Sequence, residues 1–131
     1  MNKSTLLSLS LAIVSGLAAS SAYALPPINM AFLDAYKSSP IAALAREARC
    51  DVCHVGPEQE TRNDYGLTLL RLGVTQEAFM ELRRDQEKLA EFFNEAFKKA
   101  EEEESVSGVK FGELIRSGRL PGTPPEAAEG S

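Results

Sequence analysis

Apolar residues recur every three or four positions along most of the chain beyond residue 29, which is the period of an amphipathic helix. Phe32, Leu33 and Tyr36 form the apolar side of a first expected helix, running from an Asn29 cap to about Lys37. Ser39 as N-cap and Pro40 at the first helical position open a second helix through Arg49, with Ile41, Leu44, Ala45 and Ala48 at helical spacing. Asn63 reads as the cap of a third. Its stripe is Tyr65, Leu69 and Leu72, with Leu67 and Leu70 beside it, and Gly73 stands where a C′ glycine belongs. Thr75 caps the next region, whose stripe runs through Phe79, Leu82, Leu89, Phe93, Ala96 and Ala100 and is widened by Phe92 and Phe97. Residues 83–88 are uniformly polar, so a break near Asp85 and two helices are expected there. The acid run at 101–104 opposes the dipole of the helix it ends, which predicts fraying. Ser107-Gly108 is a turn, and Phe111, Leu114 and Ile115 mark a short last helix stopped at Gly118. No segment reads as a convincing strand. The fold class expected is all-α.

The first 24 residues change the picture of where the chain works. Lys3, an apolar stretch from Leu6 to Ala19 and the small-x-small site Ala22-Tyr23-Ala24 make a secretory signal peptide, to be cleaved after Ala24. That stretch is short for a bilayer span, and no later segment is longer. The remaining residues carry a net charge of −6 and amount to one domain, 25–120. Residues 121–131, rich in Pro, Gly, Ala and Glu, read as a disordered tail. The expected location is the bacterial periplasm.

Candidate chemistry is concentrated in Cys50-Asp51-Val52-Cys53-His54, which holds both cysteines and the single histidine of the chain. C-x-x-C-H is the attachment pattern of a c-type haem. Two cysteines three apart on a helix face the same way. Their thiols can then add to two vinyl groups on one porphyrin edge, and His54 can ligate the iron from the proximal side. A thioredoxin-like dithiol would need a βαβ setting. A structural zinc would need four ligands where three are at hand. A disulfide across three residues would close too small a loop to stabilise much, and a chance occurrence of the pattern is the remaining alternative. Export and haem c agree, since haem c is attached outside the bacterial cytoplasm. Val55-Gly56-Pro57 is an expected turn, with the Pro57 carbonyl a candidate acceptor for the histidine's second N–H. Arg62 and Tyr65 are candidate contacts for haem propionates, against a surface arginine and a core-edge tyrosine.

The chain resembles a small monohaem cytochrome c. More narrowly, Cys-x-x-Cys-His-Val-Gly, Arg62-Asn63-Asp64-Tyr65-Gly66, Phe111-Gly112-Glu113 and Gly118-Arg119-Leu120-Pro121 are similar to a group of bacterial cytochrome c-like proteins, over most of residues 29–122. The resemblance implies short helices packed around one covalent haem c, with Cys50 and Cys53 as thioether anchors and His54 as proximal ligand. It implies electron transfer with redox partner proteins, no nucleic acid and no stable membrane insertion once the signal is removed. Class I cytochromes carry an axial methionine in a loop between the last helices. Here the one methionine after His54 is Met80, within an expected helix, and Met30 lies near the mature N-terminus. Met80 is the first candidate for the distal iron ligand and Met30 the second, with a vacant, water-bound or otherwise ligated position as the alternative. Three rivals to electron transfer follow: a five-coordinate haem binding a small gas, as sensor or carrier; a haem enzyme such as a peroxidase; and a dithiol redox protein with no haem. A peroxidase would have to use a carboxylate in place of a distal histidine.

Overall fold

The computed structural model describes residues 26–55 and 61–123. The signal segment, the Gly56-Pro57 part of the expected turn and residues 124–131 lie outside the described residues. Six α-helices are described: α1 Pro26–Ala35, α2 Ala42–Ala48, α3 Asp64–Arg71, α4 Gln76–Leu82, α5 Gln86–Glu101 and α6 Phe111–Arg116. A 3-10 turn, Arg49–Val52, follows α2, and two short strands, β1 His54–Val55 and β2 Thr61–Arg62, pair antiparallel with His54 opposite Arg62. The described residues are all-α apart from that two-residue ladder. The ladder corrects the expectation of no strand, and it puts Val55 in a strand rather than a turn.

α5 is the axis of the packing, touching α1, α3, α4 and α6. Leu89, Phe93, Ala96, Phe97 and Ala100 recur on its inner face and are buried. Each such aromatic side chain contributes about 1.5–3 kcal/mol by leaving water. Phe93 and Phe97 stack with centroids 6.3 Å apart, and Phe97 meets Phe32 of α1 edge-on at 5.6 Å. Tyr65 of α3 meets Phe32 at 6.0 Å and Phe111 of α6 at 5.1 Å.

Local signals set the helix ends. Asn63, Thr75 and Asp85 each accept a backbone N–H three residues on, at 2.9, 3.2 and 3.2 Å. The break between α4 and α5 therefore falls where the polar run indicated. Gly73 takes φ +95°; its N–H reaches the Leu70 carbonyl and that of Val74 reaches Leu69, a Schellman ending that buries Val74 against the core. Gly118, at φ +76°, ends α6 with the same pair of bonds, to Ile115 and Leu114.

Four expectations are corrected. α1 begins at Pro26, since proline is tolerated in a first turn, and this leaves Asn29 inside the helix rather than at its cap. α2 begins at Ala42 after a turn closed by Ala42 N–H on the Ser39 carbonyl, and Leu44, Leu67 and Leu70 are exposed. The acid run is not simply solvated: Glu101 accepts from the Tyr36 hydroxyl at 2.7 Å, Glu102 pairs with Lys110 at 2.9 Å and Glu103 with Arg71 at 3.3 Å. Glu104 is bridged to Lys110 through the backbone, because α6 folds back onto α5 and brings cations to its end. Packed structure also continues past 120. Pro121 is buried, Gly122 lies so close to Asn63 that a Cβ would overlap its amide, and the Thr123 N–H donates to Asp64 Oδ1.

Candidate functional site

A strained start shapes the motif. Arg49 leaves α2 with φ +53° and ψ −117°, a left-handed conformation disfavoured for residues with a Cβ, and this turns the chain out of the helix. The 3-10 turn that follows is closed by Cys53 N–H on the Cys50 carbonyl at 3.1 Å. In a 3-10 turn, side chains at i and i+3 eclipse more closely than in an α-helix. Cys50 and Cys53 thus share a side, as the spacing indicated, though on a tighter element. Both are free thiols. Burial pushes the Cys53 thiol up to about 12, with Cys50 adding to the rise and Arg62 opposing it.

Three contacts from α3 hold this turn in place. The Asn63 N–H donates to the Cys53 carbonyl at 3.0 Å. The Asn63 side chain, itself buried, donates from Nδ2 to the Val52 carbonyl at 3.0 Å while Oδ1 accepts from Gly66. Gly66 then packs against the turn so closely that a Cβ would overlap the Cys53 carbonyl oxygen. A glycine is needed here for approach, not for its φ.

The turn forms one wall of a cleft that is partly open to solvent. Cys50, Cys53 and His54 all line it, as do Arg49 and Val52. α1 contributes Ile28, Asn29 and Phe32; α3 contributes Gly66 and Leu69; Val74, Gln76 and Arg62 complete the lining. The Asn29 Oδ1 atom is buried without a hydrogen-bond partner.

The structure therefore brings Cys50, Cys53, His54 and Arg62 together and holds the other named candidates apart. Tyr65 is fully buried between Phe32 and Phe111, and it is not among the cleft-lining residues. Met80 is 46% exposed and Met30 67% exposed, and among the described residues neither lines the cleft. Met80 stands one helical turn beyond Gln76, which does. Asn29, Phe32, Gly66, Leu69, Val74 and Gln76 line the cleft although nothing in the sequence marked them as site residues. Gly66 left a signal: glycine inside a helix is unfavourable by about 1 kcal/mol relative to alanine and asks for a packing reason.

Among the described residues no three His, Cys, Asp or Glu side chains gather as a metal site, and no helix is long and apolar enough to cross a membrane. Comparison with protein-family models, with curated proteins and with solved structures gave no match.

Proposed function

We propose that this chain is an exported electron-transfer protein with a cytochrome c-like fold, holding one covalent haem c through Cys50 and Cys53. The observation that carries the reading is the C-x-x-C-H turn forming a wall of a mostly apolar cleft. Two features of the cleft fit such a group. Ile28, Phe32, Val52, Leu69 and Val74 give it apolar walls suited to a flat macrocycle. The buried Asn29 Oδ1 is an acceptor without a donor, a situation costing about 1–3 kcal/mol unless something bound meets it.

Cys50 and Cys53 would hold the group, their thiols being suited to forming thioethers with its two vinyl groups. His54 would supply a nitrogen ligand to its iron. Arg62, exposed at the mouth, supplies a cation for carboxylate groups at the rim. Asn63 and Gly66 fix the turn so that both thiols and the imidazole keep one geometry. When bound, the haem supplies a one-electron couple, and burial in apolar surroundings tunes its potential.

Expression alongside a c-haem maturation system tests the proposal. The expected product is red, keeps its haem through denaturation, and gives the pyridine haemochrome spectrum of a doubly thioether-linked haem. Cys50→Ser and Cys53→Ser should each lose one thioether. A colourless protein with two titratable thiols after maturation would refute it.

A second reading, a five-coordinate haem that takes a small gas, is favoured by one observation: among the described residues neither methionine lines the cleft. A ferric methionine charge-transfer band that disappears in Met80→Ala would reject this reading. Absence of the band together with ready carbon monoxide binding by the reduced protein would put it ahead of electron transfer.

A further inference from the structure

The α1 wall of the cleft carries one polar side chain among apolar ones. Ile28 and Phe32, four residues apart, put one face of the helix on the cleft, and Asn29 joins them there. Asparagine is a poor residue for a helix interior, because its amide competes for backbone hydrogen bonds. Asn29 is half-buried, and its Oδ1 atom is buried with no hydrogen-bond partner among the described residues. Arg49, Arg62 and Gln76, the other polar side chains that line the cleft outside the Cys50–His54 motif, are exposed. Buried acceptors in folded proteins are nearly always satisfied. This one calls for a hydrogen-bond donor on something bound.

The rest of the lining limits what that something is. His54 is the single histidine of the chain. No methionine, lysine, tyrosine or carboxylate is among the described residues that line the cleft. Guanidinium groups have no lone pair to give, and amide oxygens suit harder cations such as magnesium and calcium. An iron ligated by His54 therefore finds no second strong ligand in these walls.

We infer that Asn29 marks a subsite for a small protic base, of the class of ammonia and hydroxylamine, that gives a lone pair to the iron and a hydrogen to Asn29 Oδ1. The inference rests on the covalent haem proposed above. Such a ligand satisfies both groups at once, in competition with water. Carbon monoxide, nitric oxide and dioxygen carry no hydrogen, so they leave Oδ1 without a donor. Fluoride sets its own lone pairs against that oxygen. The neighbours Ile28, Phe32 and Leu69 are apolar and offer these competitors no hydrogen bond in exchange. A site built around a buried polar atom discriminates against ligands that lack the matching group, so this subsite selects by hydrogen content.

The test uses the haem-loaded ferric protein, titrated separately with ammonia and with fluoride and followed by its Soret band. Carbon monoxide binding to the reduced protein is the third measurement. Asn29→Leu replaces the amide with an apolar group of similar size. It should weaken ammonia binding about fivefold and tighten fluoride binding by a similar factor, the worth of one hydrogen bond, and leave carbon monoxide binding unchanged. Asn29→Ala, which favours the helix, gives the same comparison if leucine prevents loading. The haemochrome spectrum verifies the covalent haem of each variant. Ammonia affinity unaltered by the substitution, fluoride bound more weakly by the variant than by the wild type, or a ferric methionine band in the wild type overturns the inference and leaves the haem proposal standing. A wild type without covalent haem refutes the haem proposal itself, and shows first in the haemochrome spectrum.

Discussion

Asn63 is the side chain on which the geometry of the motif most depends, and replacing it gives the sharpest test. It caps α3 by accepting from Gly66 at 2.9 Å and ties down the Cys50–Cys53 turn by donating to Val52 at 3.0 Å. Asn63→Ala removes both bonds. Loss of an N-cap costs about 1 kcal/mol. The Val52 carbonyl is left without its side-chain partner in a buried setting, which costs about 1–3 kcal/mol more. The expected total is about 2–4 kcal/mol, a large part of the roughly 5–15 kcal/mol that holds a small domain together. Asn63→Asp separates the two roles. It keeps an oxygen for the cap, loses the donor, and turns a carboxylate toward the Val52 and Asp51 carbonyls. It should therefore lose about 1–3 kcal/mol even though the cap survives. Urea unfolding of the haem-loaded protein, followed by helical circular dichroism, measures both variants, and haem incorporation per chain reports the turn directly. If Asn63→Asp matches the wild type in both readouts, the claim that Asn63 anchors the turn is wrong.

Other outcomes follow from the same contacts. Gly66→Ala places a methyl on the Cys53 carbonyl, so α3 or the turn must move; overpacking of this kind costs about 1–3 kcal/mol, and the yield of doubly attached haem should fall with it. Tyr36 and Tyr65 both have pKa values raised above their unfolded values. Their contribution is therefore complete below the ordinary tyrosine value of about 10 and is lost as pH rises beyond it, and Tyr36→Phe should flatten this alkaline decline in the melting temperature. Glu102 is lowered by its bond to Lys110, and Lys110 is raised by Glu102. The pair should matter only between the acid limb of Glu102 and the alkaline limb of Lys110, and because both are fully exposed Lys110→Gln should leave the melting temperature nearly unchanged at neutral pH. The double variant Cys50→Ala with Cys53→Ala, which holds no covalent haem, should show weak helicity and no cooperative melt, since a small chain with an open cleft has little core to spare; a sharp, native-like transition would contradict that.

The arrangement of the acid run shows where sequence reasoning stopped. Residues 101–104 read as a solvated helix end, and considered along the chain that is the expected behaviour of four acids at a C-terminus. In three dimensions Tyr36, 65 residues away, Arg71, Lys110 and Arg116 converge on them. The same holds for residues 121–123, whose composition suggests a free tail and which pack onto Asn63 and Asp64, the residues beside the Cys50–Cys53 turn.

What the sequence alone determined is what depends on a few neighbouring residues. The caps at Asn63, Thr75 and Asp85 reach three residues ahead, and the endings at Gly73 and Gly118 need a left-handed conformation that glycine adopts freely. The break before α5 comes from a polar run, and the spacing of Cys50, Cys53 and His54 is covalent. Tertiary structure decided everything whose partner lies far along the chain. It made Gly66 a contact for Cys53, drew Asn29 and Gln76 into the cleft wall, and left Met80 and Met30 outside that wall. It also placed Tyr65 in the core rather than at the cleft surface. A helical stripe specifies which face a side chain occupies; which neighbouring element that face meets is set by how α1, α3 and α5 pack together, and no local pattern encodes it.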